Sequence, residues 1–101
     1  MNIAFTLYYA TRFGENVFLH LSQDGVAREI PLSYIDAHTW SVSVNCTPHA
    51  FSYHYSIQNS SGQILREELP VRNCSLAKYA NAPYLHIIDR WNLASFPEHF
   101  L

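Results

Sequence analysis

Glycine is scarce in this chain. Gly14, Gly25 and Gly62 are the only three, and they stand far apart. A glycine-rich loop that wraps phosphate with backbone N–H groups is therefore excluded. Basic charge is scarce as well: six Lys+Arg are spread thinly against eight Asp+Glu, for a net charge of −2. That leaves no electrostatic case for nucleic acid or an acidic membrane surface as a partner. No apolar run approaches the length of a membrane-spanning helix. After Met1 the chain enters a strand pattern directly, with no charged n-region and apolar h-region, so no export signal is read there. A cytoplasmic location is the expectation. Two cysteines, Cys46 and Cys74, are too few for a disulfide scaffold. Both are expected as free thiols in small, buried or half-buried positions. Asn45-Cys46-Thr47, Asn59-Ser60-Ser61 and Asn73-Cys74-Ser75 match the glycosylation acceptor pattern, and without a secretory route they read as chance.

What is present is apolar and aromatic. Hydrophobic residues make up 49% and aromatics 15% of 101 residues, which fits one folded domain with a small core. The most regular stretch runs from Phe51 to Glu68. Phe51, Tyr53, Tyr55 and Ile57 alternate with Ser52, His54, Ser56 and Gln58, the period of a strand with one face buried. Asn59 to Gly62 is turn chemistry, and Gln63 to Arg66 resumes an extended pattern. This hairpin is expected at the centre of the sheet. Earlier in the chain, Asn2 to Tyr9 alternates with Ile3, Phe5, Leu7 and Tyr9 on one face. Asn16 to Leu21 places Val17, Leu19 and Leu21 inward. Asp24-Gly25 is a strong hairpin signal, and Val26 to Leu32 is a weaker strand that Pro31 assigns to a sheet edge or bulge. Ser33 to His38 reads as a loop. Thr39 to Asn45 turns Trp40, Val42 and Val44 inward, and Tyr84 to Ile88 is a last strand. Between them, Val71 to Ser75 can hold a short strand, and Leu76 to Ala82 a helical turn that Pro83 stops. Short strands with turns between them predict an all-β, antiparallel β-sandwich of about seven or eight strands, or a small barrel.

Catalytic and metal chemistry is not found. The six histidines have no metal-ligand spacing, the closest being His49 and His54 on a turn and a strand. No G-x-S-x-G elbow occurs. Glu67 and Glu68 are neighbours on an extended segment, so they point to opposite faces and cannot act as an acid/base pair. All carboxylates read as solvated surface charge. No catalytic residue, metal site or cofactor is expected. The aromatic supply stands out instead: Tyr, Phe and Trp number seven, six and two. Phe13 and Tyr34 fall in connections rather than on inward strand positions. They either pack over a sheet end or present flat faces that stack on sugar rings.

Four stretches resemble the starch-binding modules, the family-20 carbohydrate-binding modules first known from glucoamylases. Arg12 to Leu19 (RFGENVFL) resembles the family's G-E-N-(I/V)-Y-L strand with an aromatic before the Gly. Thr39 to Val44 resembles its W-x-V-x-V strand, Phe51 to Ile57 its F-E-Y-K-(Y/F)-x-I strand, and Asp89-Arg90-Trp91 its closing D-x-W. These span nearly the whole chain in order. Thr6 to Val17 and the tail beyond Trp91 look most like the module at the front of 4-alpha-glucanotransferases (amylomaltases, or disproportionating enzymes), which are cytoplasmic.

The resemblance implies an immunoglobulin-like sandwich over residues 1–91, with 92–101 as a tail or linker towards a catalytic domain. It implies a non-catalytic module whose partners are α-glucan (starch, glycogen, maltooligosaccharide) and the rest of a parent enzyme. It leaves oligomerisation open. The family's first sugar site is expected to be dismantled. Its Trp-bearing loop is short here between Leu21 and Val26, and Arg66 stands where the second Trp belongs. His54 replaces a Lys and Val71 an Asn, while Glu67 and Arg72 match. The second site uses an aromatic before the G-E-N glycine and another ahead of the strand Trp, matching Phe13 and Tyr34. These two are the expected carbohydrate-binding residues, with His54, Arg66 and Glu67 as weaker candidates. The alternative expectation is a sandwich that has lost sugar binding and serves as a packing or dimerisation module.

Overall fold

The computed structural model describes residues 1–47, 49–69, 71–75 and 82–91. Among the described residues nine strands carry the fold: β1 (Asn2–Tyr8), β2 (Asn16–Gln23), β3 (Val26–Pro31), β4 (Ser33–Asp36), β5 (Thr39–Asn45), β6 (Phe51–Gln58), β7 (Ile64–Glu67), β8 (Arg72–Cys74) and β9 (Tyr84–Arg90). They form two sheets. One has the order β4-β5-β1-β9; the other has β3-β2-β6-β7, with β8 also paired to β6. The protein is an all-β sandwich, without a helix among the described residues.

Alternation translates directly into the core. Val17, Leu19 and Leu21 of β2 lie opposite Ile57, Tyr55 and Tyr53 of β6, and all six are buried. In the facing sheet, Ile3, Phe5 and Leu7 of β1 lie opposite Val44, Val42 and Trp40 of β5. The two inner faces meet at the Phe5 ring, whose edge contacts are Tyr53 at 5.3 Å and Phe51 at 6.0 Å. Edge-to-face pairs of this kind add about 0.5–1.5 kcal/mol beyond the area they bury. Val42 is only half-buried, while Trp40 and Val44 are fully packed.

Turn chemistry sets the registers. Gln23 pairs Val26, so Asp24-Gly25 is a two-residue hairpin loop. Both residues have positive φ, 54° and 77°, as a type I′ turn requires. The Asn59–Gly62 turn closes with Gly62 N–H donating to the Asn59 carbonyl at 3.0 Å. The Asn59 side-chain oxygen accepts from the backbone N–H groups of Ser61 and Gln63. Of the hairpin expected at the sheet centre, β6 is central, with β2 on one side and both β7 and β8 on the other, while its second strand β7 ends the sheet. The weaker strand with Pro31 is the edge strand β3.

Three expectations are corrected. The Ser33–His38 loop is strand β4 over Ser33–Asp36, paired antiparallel to β5 with a register shift between Tyr34 and Asp36. All four of its residues are exposed, so it has no buried face and no apolar alternation to betray it. Second, the sheets are not wholly antiparallel: β1 pairs β9 in parallel, from Asn2↔Tyr84 to Tyr8↔Arg90. Alternation has the same period in parallel and antiparallel strands, so sequence pattern does not distinguish them.

The third correction concerns the carboxylates, which are not all solvated. Glu68 is fully buried and receives Arg72 Nε and Nη2 at 3.1 and 2.7 Å. Asp89 accepts the hydroxyl protons of Tyr53 and Tyr55, both at 2.8 Å. Glu15 is nearly buried beside Arg66. Asp89 and Glu15 are held largely out of water by donors from distant strands, whereas the donor to Glu68 is its near neighbour Arg72; in each case the partner offsets the desolvation. Burial, with the Asp89 charge beside them, pushes the Tyr53 and Tyr55 hydroxyls well above the usual phenol range. Pro48, Pro70, most of the expected helical turn at 76–82 and the whole tail 92–101 lie outside the described residues.

Cys46 is buried in the core and Cys74 is half-buried on β8, and both are free thiols. Burial pushes each thiol above its ordinary pKa, more reason for low reactivity in the folded state.

Candidate functional site

The connection from β1 to β2 is built around Glu15. Its backbone N–H donates to the Arg12 carbonyl at 3.0 Å, which closes a turn, and Gly14 occupies the left-handed region at φ 86°. One Glu15 carboxylate oxygen accepts the Arg12 N–H at 2.7 Å; the other accepts Arg66 Nη1 from β7 at 3.1 Å. Burial alone would raise the Glu15 pKa. The hydrogen bond from Arg12 and the bond and charge of Arg66 outweigh it, so the pKa is lowered. Three further bonds tie the connection down: Thr11 N–H to the Ala37 carbonyl at 3.3 Å, Tyr9 N–H to the His38 carbonyl at 3.0 Å, and Trp40 Nε1–H to Thr11 Oγ1 at 3.2 Å.

Phe13 sits at the tip of this connection. Its relative exposure is 108%, so it is not packed over the sheet end and contributes nothing to the core. Tyr34 lies on β4 rather than in a loop, directly opposite Trp40, whose buried indole meets its ring edge-on at 5.3 Å and 82°. That contact holds one part of the Tyr34 ring while most of it stays exposed. Phe13 and Tyr34 line a single groove of about 430 Å³, together with Thr11, Arg12, Glu15 and Trp40. The two leading sequence candidates are thus brought to one place, and Arg66 reaches that place through Glu15.

His54 and Glu67 meet elsewhere, on the outer face of the β2–β6 sheet. His54 Nε2 lies 3.0 Å from Glu67 Oε2. Sequence reasoning passed over their neighbour, His20. The β2–β6 register sets His20 directly opposite His54, and the rings stack at 4.6 Å and 7°. His20 Nε2 shares a 2.6 Å hydrogen bond with Ser56 Oγ, and its Nδ1 is 3.8 Å from Glu29 Oε2. Burial and the adjacent His54 lower the His20 pKa, against the opposing pull of Glu29 and Glu67. A groove of about 370 Å³ runs beside the pair, lined also by Arg28, Tyr53 and Val71. Only strand pairing could expose this cluster, because the three residues are scattered along the chain.

No protein-family model and no curated protein sequence matches this chain. Solved structures do match in fold. A glycoside hydrolase family 15 glucoamylase from Hypocrea jecorina aligns with TM-score 0.77 and 19% identity over 91% of this chain. A glucoamylase from Hormoconis resinae aligns with TM-score 0.68 and 20% identity over 90%. The gamma-CGTase from alkalophilic Bacillus clarkii aligns with TM-score 0.64 and 19% identity over 90%. The chain spans only 17%, 17% and 15% of those three proteins, respectively. What is shared with each is the fold of one small segment.

Proposed function

We propose that this chain is a non-catalytic α-glucan-binding module of the starch-binding type, with Phe13 and Tyr34 as its sugar platform. The observation that carries the reading is the groove in which a fully exposed phenyl ring and a braced, half-open tyrosine ring lie together. Aromatic rings left exposed offer flat apolar faces to the CH faces of glucose units. The shared fold with segments of glucoamylases and a CGTase supports the same reading, since both names belong to enzymes of α-glucan chemistry. The resemblance of Thr6 to Val17 supports a finer one: the module belongs to the front of a cytoplasmic 4-alpha-glucanotransferase acting on α-1,4-glucan. Two free thiols suit that compartment.

Each ring contact is worth about 0.5–1.5 kcal/mol beyond burial. A two-ring site is therefore weak, on the order of 0.1–1 mM, or about 4–5.5 kcal/mol. Affinity electrophoresis through amylose-containing gel tests this. Wild type should be retarded, and Phe13→Ala and Tyr34→Ala should each lose most of the retardation. Arg66→Ala should keep much of it, because Arg66 acts on the groove only through Glu15. An unretarded wild type, or full retardation of the Phe13→Ala/Tyr34→Ala double variant, would overturn the proposal.

A further inference from the structure

We propose that His20, His54 and Glu67 form a binding site for a zinc-class divalent cation on the outer face of the β2–β6–β7 sheet. One donor atom from each residue lies within 4.8 Å of the other two. Three adjacent strands supply them: β2 and β6 set the histidines opposite each other, and β7 brings Glu67 in from the far side of β6. An ordinary His54–Glu67 ion pair would explain their 3.0 Å contact. It would not explain why a second imidazole is laid face to face with the first.

Two imidazoles and a carboxylate form a borderline nitrogen–oxygen donor set, which suits Zn²⁺ better than Mg²⁺ or Ca²⁺. Bonds of about 2.0–2.2 Å put tetrahedral ligand atoms roughly 3.3 Å apart, so the donors must close in by up to about 1.5 Å. Parallel rings cannot both aim a lone pair at one ion, so at least one must turn. The ring torsion of histidine is broad and soft, and that turn needs no backbone movement. The strands already fix the Cβ positions.

The surroundings fit as well. Ser56 and Glu29 flank the two nitrogens of His20, so the nitrogen left off the ion keeps a hydrogen-bond or charge partner that orients the ring. The histidine side chains are 20% and 16% exposed and that of Glu67 44%, which leaves one side open for water as a fourth ligand. Arg28 lines the same groove but directs its guanidinium at the Asn45 carbonyl, 3.4 Å away. Neither Phe13 nor Tyr34 takes part, so this site stands or falls separately from sugar binding.

Zn²⁺ itself is the probe, titrated by calorimetry into the whole chain at neutral pH in a non-chelating buffer. One ion per chain is expected. His20→Gln and His54→Gln should each weaken binding at least tenfold, and Glu67→Gln should weaken it less. His49→Gln, which touches only the separate Asp24–His49 pair, should leave it unchanged. Unfolding midpoints in EDTA establish that each variant is folded. Zn²⁺ should raise the midpoint of wild type and not that of the His20→Gln/His54→Gln double variant, because a ligand that binds only the native state stabilises it. Should the double variant not fold, the imidazole proton resonances of wild type decide: Zn²⁺ must shift those of His20 and His54 first. Unchanged affinity without both histidines, first shifts at other histidines, or no uptake by wild type at about 1 mM Zn²⁺, which is only about 4 kcal/mol, would each overturn the assignment.

Discussion

Replacing Glu15 with Gln isolates the charge that fastens the Phe13 connection. The amide keeps an acceptor for the Arg12 N–H but loses the ionic bond to Arg66 Nη1 at 3.1 Å. A hydrogen bond to a charged group contributes about 1.5–3 kcal/mol when dry. Arg66 is 34% exposed and can be rehydrated, so the figure must be discounted towards the 0.2–1 kcal/mol of a surface pair. About 1 kcal/mol at pH 7 is the expected loss.

Its pH dependence has a definite sign. The Glu15 pKa is lowered in the folded protein, so the native state holds its proton less tightly than the unfolded chain does. Stability from the charge is therefore fully present above the unfolded pKa and disappears as pH falls through the folded one. Urea unfolding of wild type and Glu15→Gln should differ by about 1 kcal/mol at pH 7 and converge at the acid end. Every other carboxylate is common to both proteins, so its contribution cancels in the difference. A double-mutant cycle with Arg66→Gln should return most of the effect as coupling. An equal difference at both ends of the pH range, or zero coupling, would refute the view that an ionic tie to β7 holds the connection. In amylose gel Glu15→Gln should show partial loss of retardation, smaller than that of Phe13→Ala, since the ring is still there but less well held.

Tyr55→Phe removes one of the two phenol donors to Asp89 Oδ2 and should cost about 1.5–3 kcal/mol, because the acceptor is charged and largely dry. Urea unfolding checks this, and a loss under about 0.5 kcal/mol, the surface range, would mean that Tyr53 and Arg72 satisfy Asp89 alone. Thiol titration under denaturing, non-reducing conditions should find both Cys46 and Cys74 reactive, with Cys46 slow in the native protein; finding neither would establish a disulfide.

Local pattern determined much of this protein. The runs Val17-x-Leu19-x-Leu21 and Phe51-x-Tyr53-x-Tyr55-x-Ile57 could bury one face only as strands, and they do. Asp24-Gly25 could adopt two successive positive φ angles, and so specified a hairpin. Phe13, outside any alternation, was legible as an aromatic in a connection, but whether it packs over the sheet end or faces solvent was decided by the tertiary structure. Strand β4 was not legible, because an exposed edge strand leaves no apolar period. The parallel pairing of β1 with β9 was not legible either, because it joins residues some eighty positions apart and period alone carries no direction.

The chemistry of the outer face depended on register. His20 is unremarkable in sequence and nothing there links it to His54; only the β2–β6 pairing makes the two face each other, with Glu67 delivered from β7. The same holds for the buried charges. Glu68, Arg72 and Asp89 read as surface residues because dryness is not written in a side chain; it depends on which donors the tertiary structure brings to it. Sequence alone settled which residues must leave water, through their apolar area and its period. Tertiary structure decided which polar residues could follow them, because a charge can be buried only where its partners already stand.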